Sequence, residues 1–185
     1  AKNATEIAIK AQLHLEKQVG NIVIKAHPRI VYSIIENGSW AEDDFMQSFW
    51  AGLLATSCSP EGKDESNLIF IGILSKLTSN QGRLIKHSCE LAKVIKSKGG
   101  WIGVKERLFV EADDLKNITG YCDYQQMDRE LDHLRSLELI HGGFNHHDTL
   151  ADITPSSLCL QLYVRSQGYV GSPIDYFGLT DAEPI

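Results

Sequence analysis

Between Arg83 and Arg107 the chain reverses its own charge. Arg83, Lys86, Lys93, Lys96, Lys98, Lys105 and Arg107 stand there against Glu90 and Glu106, a local net of +5 in a chain of 185 residues that carries −6 overall. If the helix that starts at Thr78 runs through about Ser97, then Lys86, Lys93 and Lys96 fall opposite an apolar stripe of Leu84, Leu91 and Ile95. Such an exposed basic strip, continued by Lys98, Lys105 and Arg107, can contact phosphates or an acidic partner. A solvated outer face that pairs with nearby carboxylates is the plainer reading of the same residues.

Two other sets of residues have chemical potential. His141, His146, His147 and Asp148 cluster in a Gly-rich turn, and imidazoles with a carboxylate can hold a metal ion. Adjacent histidines on a strand point to opposite sides, so joint ligation needs a loop. A polar, solvent-exposed turn that titrates near neutral pH is the simpler expectation. Cys58, Cys89, Cys122 and Cys159 form no CxxC pair and have no sequence-local base. They read as the reduced thiols of a cytoplasmic protein, not as disulfides or metal ligands. No GxSxG, P-loop, HExxH or paired-carboxylate motif appears, so no catalytic residue, cofactor or metal is expected and the chain does not read as an enzyme.

The bulk numbers bound the rest. An apolar fraction of 43% is enough for a real core. The negative balance, with a pI near 5.6, argues against general attraction to nucleic acid or anionic membrane. No run of 18 apolar residues and no secretory signal are present, so no membrane contact is expected of this stretch. The chain starts at Ala1 inside a helix-like pattern, which reads as a piece of a longer protein whose earlier segment could target a membrane.

Helices must position most of these groups. The stretch Ser39 to Cys58 is the expected spine, with Phe45, Met46, Phe49, Trp50, Leu53 and Leu54 on one helical face. Ser39 with Glu42 has capping-box spacing, and Asp43 and Asp44 suit the positive end of the helix dipole. Before it, residues 4–19 read as a helix with Ile7, Ala11, Leu15 and Val19 inward, ended by Gly20, and Ile22–Ile24 lead into the next element. Pro28–Glu36 read as a second helix with Ile30, Val31, Ile34 and Ile35 inward and Asn37-Gly38 as its stop. After an exposed loop over residues 61–66, residues 67–77 are apolar nearly all round and predict a buried helix. Thr78 with Gln81 then opens the helix that Gly99-Gly100 stops.

From Trp101 the texture changes. Leu108 to Val110 predict a strand, Ala112 to Ile118 a short helix ended by Gly120, and Tyr124 to Leu137 a second helix with Met127, Leu131, Leu134 and Leu137 inward. Leu139 to His141 and Leu150 to Ile153 predict an antiparallel hairpin. Thr154 and Pro155 open a last helix through Gln167, and Gly168, Gly171 and Pro173 end it. Trp50 and Trp101 both read as core rather than as ligand platforms. The expected fold is mainly α: a helical bundle over residues 1–80, a winged-helix-like module with a short β-hairpin over 81–168 that shares the helix 79–98, and an irregular tail over 169–185. The helix in the recognition position counts against DNA binding, because residues 121–138 carry five acids against Arg129 and Arg135.

Three stretches together are similar to a known family: FWAGLLATS in the spine, FIGILSKLTSNQGRLIK after it, and LDHLRSLELI with ITPSSLCLQLYVRSQG near the end. The pattern, over roughly residues 22 to 168, resembles the Abi-alpha (abortive infection alpha) family of bacterial and phage-related proteins. Ser156-Ser157 depart from the Gly that usually follows the Thr-Pro pair. The motifs are packing motifs, so the resemblance carries no catalytic residue and implies a role in phage defence. The expected function is a non-catalytic interaction protein with a protein partner or a second copy of itself. The alternative is a nucleic-acid-binding winged-helix protein that uses the basic strip.

Overall fold

The computed structural model describes residues 2–18, 23–145, 147 and 149–179; the expected inward Val19, the helix stop Gly20 and the start of the Ile22–Ile24 segment lie outside them, as does the end of the tail. The fold is mainly helical with small antiparallel sheets. It divides into two compact units, Ala1–Ser79 with Val164–Ser172 and Asn80–Tyr163 with Pro173–Ile185.

The first unit holds α1 (Lys2–Gln18), β1 (Lys25–Ala26), α2 (Pro28–Gly38), α3 (Asp44–Thr56), β2 (Cys58–Ser59) and α4 (Leu68–Leu74). Its spine is α3, as its sequence pattern requires. Phe49, Trp50 and Leu53 are buried, and Phe45 stacks against Phe49 at 4.6 Å between ring centroids. The start of this helix differs from the capping-box expectation. Asp43 is the cap, its carboxylate accepting from the Phe45 amide at 3.0 Å, while Ser39 closes α2. Asp44 keeps its place in the first turn, where Lys10 of α1 reaches it.

Close backbone approach fixes how these helices pack. A Cβ on Gly38 would lie 2.8 Å from Ile7 Cδ1 and 3.1 Å from the Trp50 ring, so the glycine lets α1, α2 and α3 meet. A Cβ on Gly52 would lie 2.0 Å from the Ser166 carbonyl oxygen, which brings the returning segment onto α3. Beside it, buried Asn67 donates to the Leu53 carbonyl at 3.2 Å, to Thr56 Oγ1 at 2.8 Å and to Ser57 Oγ at 2.9 Å. The expected fully buried helix over 67–77 is shorter and only half covered. Ile71 and Leu74 are buried, whereas Ile69 faces solvent. In α2 the stripe is likewise narrower, with Ile30 and Ile34 buried and Ile35 exposed.

Most of the second unit is built from α5 (Ser79–Leu91), β3 (Val94–Lys96), β4 (Ile102–Val104), β5 (Phe109–Glu111), α6 (Ala112–Thr119), α7 (Tyr124–Ser136), β6 (Leu150–Asp152) and α8 (Ser157–Ser166), whose last residues belong to the first unit. Leu84, Ile85, Leu115, Met127, Leu131, Leu134, Leu160 and Leu162 are buried. Gly120 ends α6 in the left-handed conformation, with φ 75°.

The helix expected to run from Thr78 to Ser97 stops at Leu91, which is exposed. Val94, Ile95 and Lys96 instead form a strand against Ile102 to Val104. Two β-branched residues facing a short Gly-Gly turn favour that hairpin over two more helical turns.

The expected hairpin of Leu139–His141 with Leu150–Ile153 is also recast. The ladder partner of β6 is β5, but the segment after α7 still runs antiparallel to residues 150–156, with bridges of Ile140 to Pro155 and Phe144 to Ala151 and with the His141, Asp152 and Ser156 amides donating to the Thr154, Gly143 and Leu139 carbonyls. Gly143 takes φ 145° between the two bridges, and its carbonyl accepts from the Asp152 amide at 2.9 Å. Thr154 does not cap the last helix. Its hydroxyl donates to Asp152 Oδ1 and accepts from the Leu108 amide at 2.8 Å, while Ser156 Oγ accepts from the Cys159 amide at 3.1 Å. The tail is not wholly irregular, because Pro173–Tyr176 form a short helix, α9, whose Tyr176 ring packs edge-on against Tyr163.

Candidate functional site

The six basic residues of the strip do not share one helical face. Lys86 stays on α5 and pairs with Glu90 at 3.8 Å. Arg107 pairs with buried Asp152, beside β6. Lys93, Lys96, Lys98 and Lys105 belong to the β3–β4 hairpin, whose residues 93–105 contain no acid at all.

Register decides which of these four act together. Val94 pairs with Val104, Ile95 with Gly103 and Lys96 with Ile102. The Lys105 amide donates to the Lys93 carbonyl at 2.9 Å, and the Ser97 amide donates to the Trp101 carbonyl at 2.8 Å, which extends the pairing by one residue at each end. Side chains alternate across a pleated pair and cross-strand partners share a face. Lys93, Lys105, Ile95, Gly103, Ser97 and Trp101 therefore lie on one face. Lys96 lies on the other, across from buried Ile102.

The hairpin is anchored through Ile102, the second cross-strand pair from its turn, and its turn residues are bare. Ser157 Oγ donates to the Ile102 carbonyl at 2.7 Å. At the tip the Gly100 amide donates to the Ser97 carbonyl at 2.9 Å and Gly100 takes φ 83°, the tight turn and left-handed residue of a three-residue hairpin loop. Trp101 is 76% exposed, so it is not the core residue its size suggests. Its indole lies against Gly99, where a Cβ would be 3.1 Å from Cδ1. Lys93 makes one open ion pair, to Glu106 at 3.8 Å, with both side chains more than half exposed. A pair of that kind holds a lysine weakly.

The first unit carries a different concavity that the sequence did not announce. A groove of about 420 Å³ has Met46, Trp50 and Leu74 in its lining, with Trp40, Glu42 and Asp43 beside them. Trp40 is 83% exposed. The only signal for it in the sequence is its position, two residues after Asn37-Gly38 close the second helix and outside every apolar stripe.

His141 and His147 are exposed, and His146 and Asp148 of the same cluster lie outside the described residues. Among the described residues, no three His, Cys, Asp or Glu side chains converge as a metal ion would need. The four cysteines are free thiols. Cys89 and Cys159 are buried with their sulfurs 3.8 Å apart, and burial, then the contact with Cys159, pushes the Cys89 thiol well above its ordinary pKa. Such a thiol stays protonated and is a poor nucleophile. On α7 the outer face pairs its own charges, Arg135 with Asp132 at 2.6 Å. Among the described residues no helix is long and apolar enough to cross a membrane.

The chain is thus a mainly helical protein of two compact units with small antiparallel sheets. The family model for abortive infection alpha matches residues 2–155, most of the chain, and the protein belongs to that family. No curated protein and no solved structure matches it.

Proposed function

We propose that the chain is a non-catalytic interaction protein of a phage-defence system, working in the cytoplasm through protein-facing surfaces. Membership of the abortive infection alpha family supports the defence role. The observation that carries the interaction role is Trp40, which stands in solvent beside a groove floored by Met46 and Trp50. An exposed tryptophan beside a concavity lined by both apolar and polar groups, Met46 and Trp50 with Glu42 and Asp43, is the composition of protein recognition surfaces. The partner is a protein, or a second copy of this chain.

The test is phage plating on the natural host carrying the gene, with Trp40→Ala and Glu42→Lys in place of the native residues. Protection should fall for both at unchanged protein level and unchanged melting temperature. Full protection by both variants would remove the groove from the working surface.

The second unit is proposed to be winged-helix-like. The order α5, β5, α6, α7, bridged segment, β6, with the β3–β4 hairpin inserted after α5 and with β5 and β6 paired, supports that reading. The acidic balance of α7 disfavours its use as a DNA-reading helix. A second functional reading, nucleic-acid contact through the basic residues 83–107, is favoured by one specific observation. Four lysines and no acid lie within residues 93–105, and Lys93, Lys98 and Lys105 are exposed.

A further inference from the structure

We infer that the β3–β4 hairpin is a clamp for single-stranded nucleic acid, with Trp101 as the platform for one base and Lys93 with Lys105 as the seat for the phosphates beside it. This deepens the nucleic-acid reading and rests on it.

Three features of the face lead to that ligand. Lys93 and Lys105 are cross-strand neighbours at the root, both exposed, and no ion pair holds Lys105 among the described residues. Like charges directly opposite each other repel on a bare strand pair. An anion between them relieves that repulsion, so the pair is complementary to a phosphate rather than to a neutral group. At the other end of the same face Trp101 offers an indole that is 76% exposed. Between the two ends Gly103 faces half-buried Ile95, and a Cβ added at Gly103 would meet nothing within 4 Å. The middle of the face is therefore an open, shallow apolar step, about 13 Å from one end to the other along the strand.

Aromatic platform, open step and paired cations in line match a strand whose bases are unpaired. Stacking on an aromatic needs a free base face, which a duplex has already used on its neighbours. The phosphates need cations; residues 93–105 contain no acid, and the adjacent Glu106, more than half exposed, holds Lys93 only through an open 3.8 Å pair that a phosphate can displace. An anionic membrane would take the lysines too. It would prefer several apolar side chains at the tip, where this hairpin has Lys98, Gly99 and Gly100 beside a single tryptophan.

The platform is also set in advance. The hydrogen-bonded turn at Ser97 to Gly100 fixes the tip, and Gly99 leaves room for the indole edge. Trp101→Phe keeps a ring there, whereas Gly99→Val pushes the indole aside without removing any contacting group.

The experiment is fluorescence anisotropy of the full chain with a labelled 20-nucleotide oligothymidine, a duplex of the same length, and vesicles containing phosphatidylserine, across a salt series. Binding should favour the single strand. Trp101→Ala should weaken it about 10-fold. Trp101→Phe should retain most of it, and Gly99→Val should lose several-fold. Lys93→Gln with Lys105→Gln should lower the slope of log affinity against log salt by about 1.4, the amount expected when two phosphate contacts to a single strand are removed. Lys63→Gln, in an exposed loop of the first unit, should change nothing. Tight single-strand binding that ignores the Trp101 and lysine changes would overturn the clamp while leaving the nucleic-acid reading intact. No binding to the oligonucleotide at low salt would overturn both. Stronger binding to the duplex or to the vesicles would replace the single strand as the ligand. Circular dichroism on each variant keeps unfolding from imitating a loss of contact.

Discussion

Two tryptophans of this protein have opposite fates, and the difference separates its architecture from its surface chemistry. Trp50 is 3% exposed on α3, packed where Gly38 lets three helices close. Trp101 is 76% exposed at the end of the β3–β4 hairpin, with Gly99 and Gly100 before it. Both glycine settings admit a close approach, yet one admits a helix onto a ring and the other only the ring onto its own turn. The first region is held by apolar area. The second is held by hydrogen bonds along a short ladder and leaves its largest side chain and three lysines to the solvent. A large residue is evidence for a core only where enough apolar surface surrounds it.

That contrast can be broken from either side. The largest effect should come from Trp50→Ala, which empties the centre of α3 and should cost about 3–5 kcal/mol in a thermal or urea unfolding experiment. If the melting temperature hardly moves, α3 is not the spine.

Gly52→Ala should follow, at about 1–3 kcal/mol, because the new methyl meets the Ser166 carbonyl and the backbone must give. A neutral result would mean that the returning segment does not sit against α3.

Asp152→Asn should cost about 2 kcal/mol at neutral pH. Burial raises the carboxyl pKa, but hydrogen bonds from the Thr154 hydroxyl and amide and the charge of Arg107 together hold it below the usual carboxylate range. A folded pKa below the unfolded one gives stability that is complete above the unfolded value and lost as pH falls through the folded one. The difference between wild type and variant should therefore be constant from pH 8 to 5 and shrink only below about pH 4. A gap that persists unchanged at pH 2 would contradict this.

At the small end, Trp101→Ala should shift stability by less than about 0.5 kcal/mol, as an exposed side chain should. A loss as large as that of Trp50→Ala would mean that Trp101 is covered in the protein.

Periodicity made the helices legible where a stripe was long and regular. The apolar spacing of α3, the Met127, Leu131 and Leu134 face of α7 and the Gly120 stop of α6 all stand where pattern and capping chemistry put them. The hairpin at residues 94–104 was hidden for a physical reason. Leu84, Leu91 and Ile95 keep a helical spacing through its first strand, and nothing local says that the cross-strand pairing of Val94 with Val104 outweighs two more turns. The candidate lysines were therefore found as residues but placed on the wrong element. Capping is ambiguous in the sequence for a similar reason. Ser39 and Asp43 both fit a helix start, and so do Thr154 and Ser156, and only the folded backbone chooses between neighbours that offer the same oxygen.

By itself the sequence determined the mainly helical class, the identity of the spine, the family and the local reversal of charge at 83–107. These depend on residue type and short-range spacing, which the linear order carries. Only the tertiary structure decided that Lys93 and Lys105 face each other, that Trp101 stands in water on the same face, and that Trp40 borders a groove. Exposure and cross-strand register arise from partners distant along the chain or from a competition between two local folds, and the packed molecule resolves that competition by total free energy rather than by the pattern of one segment.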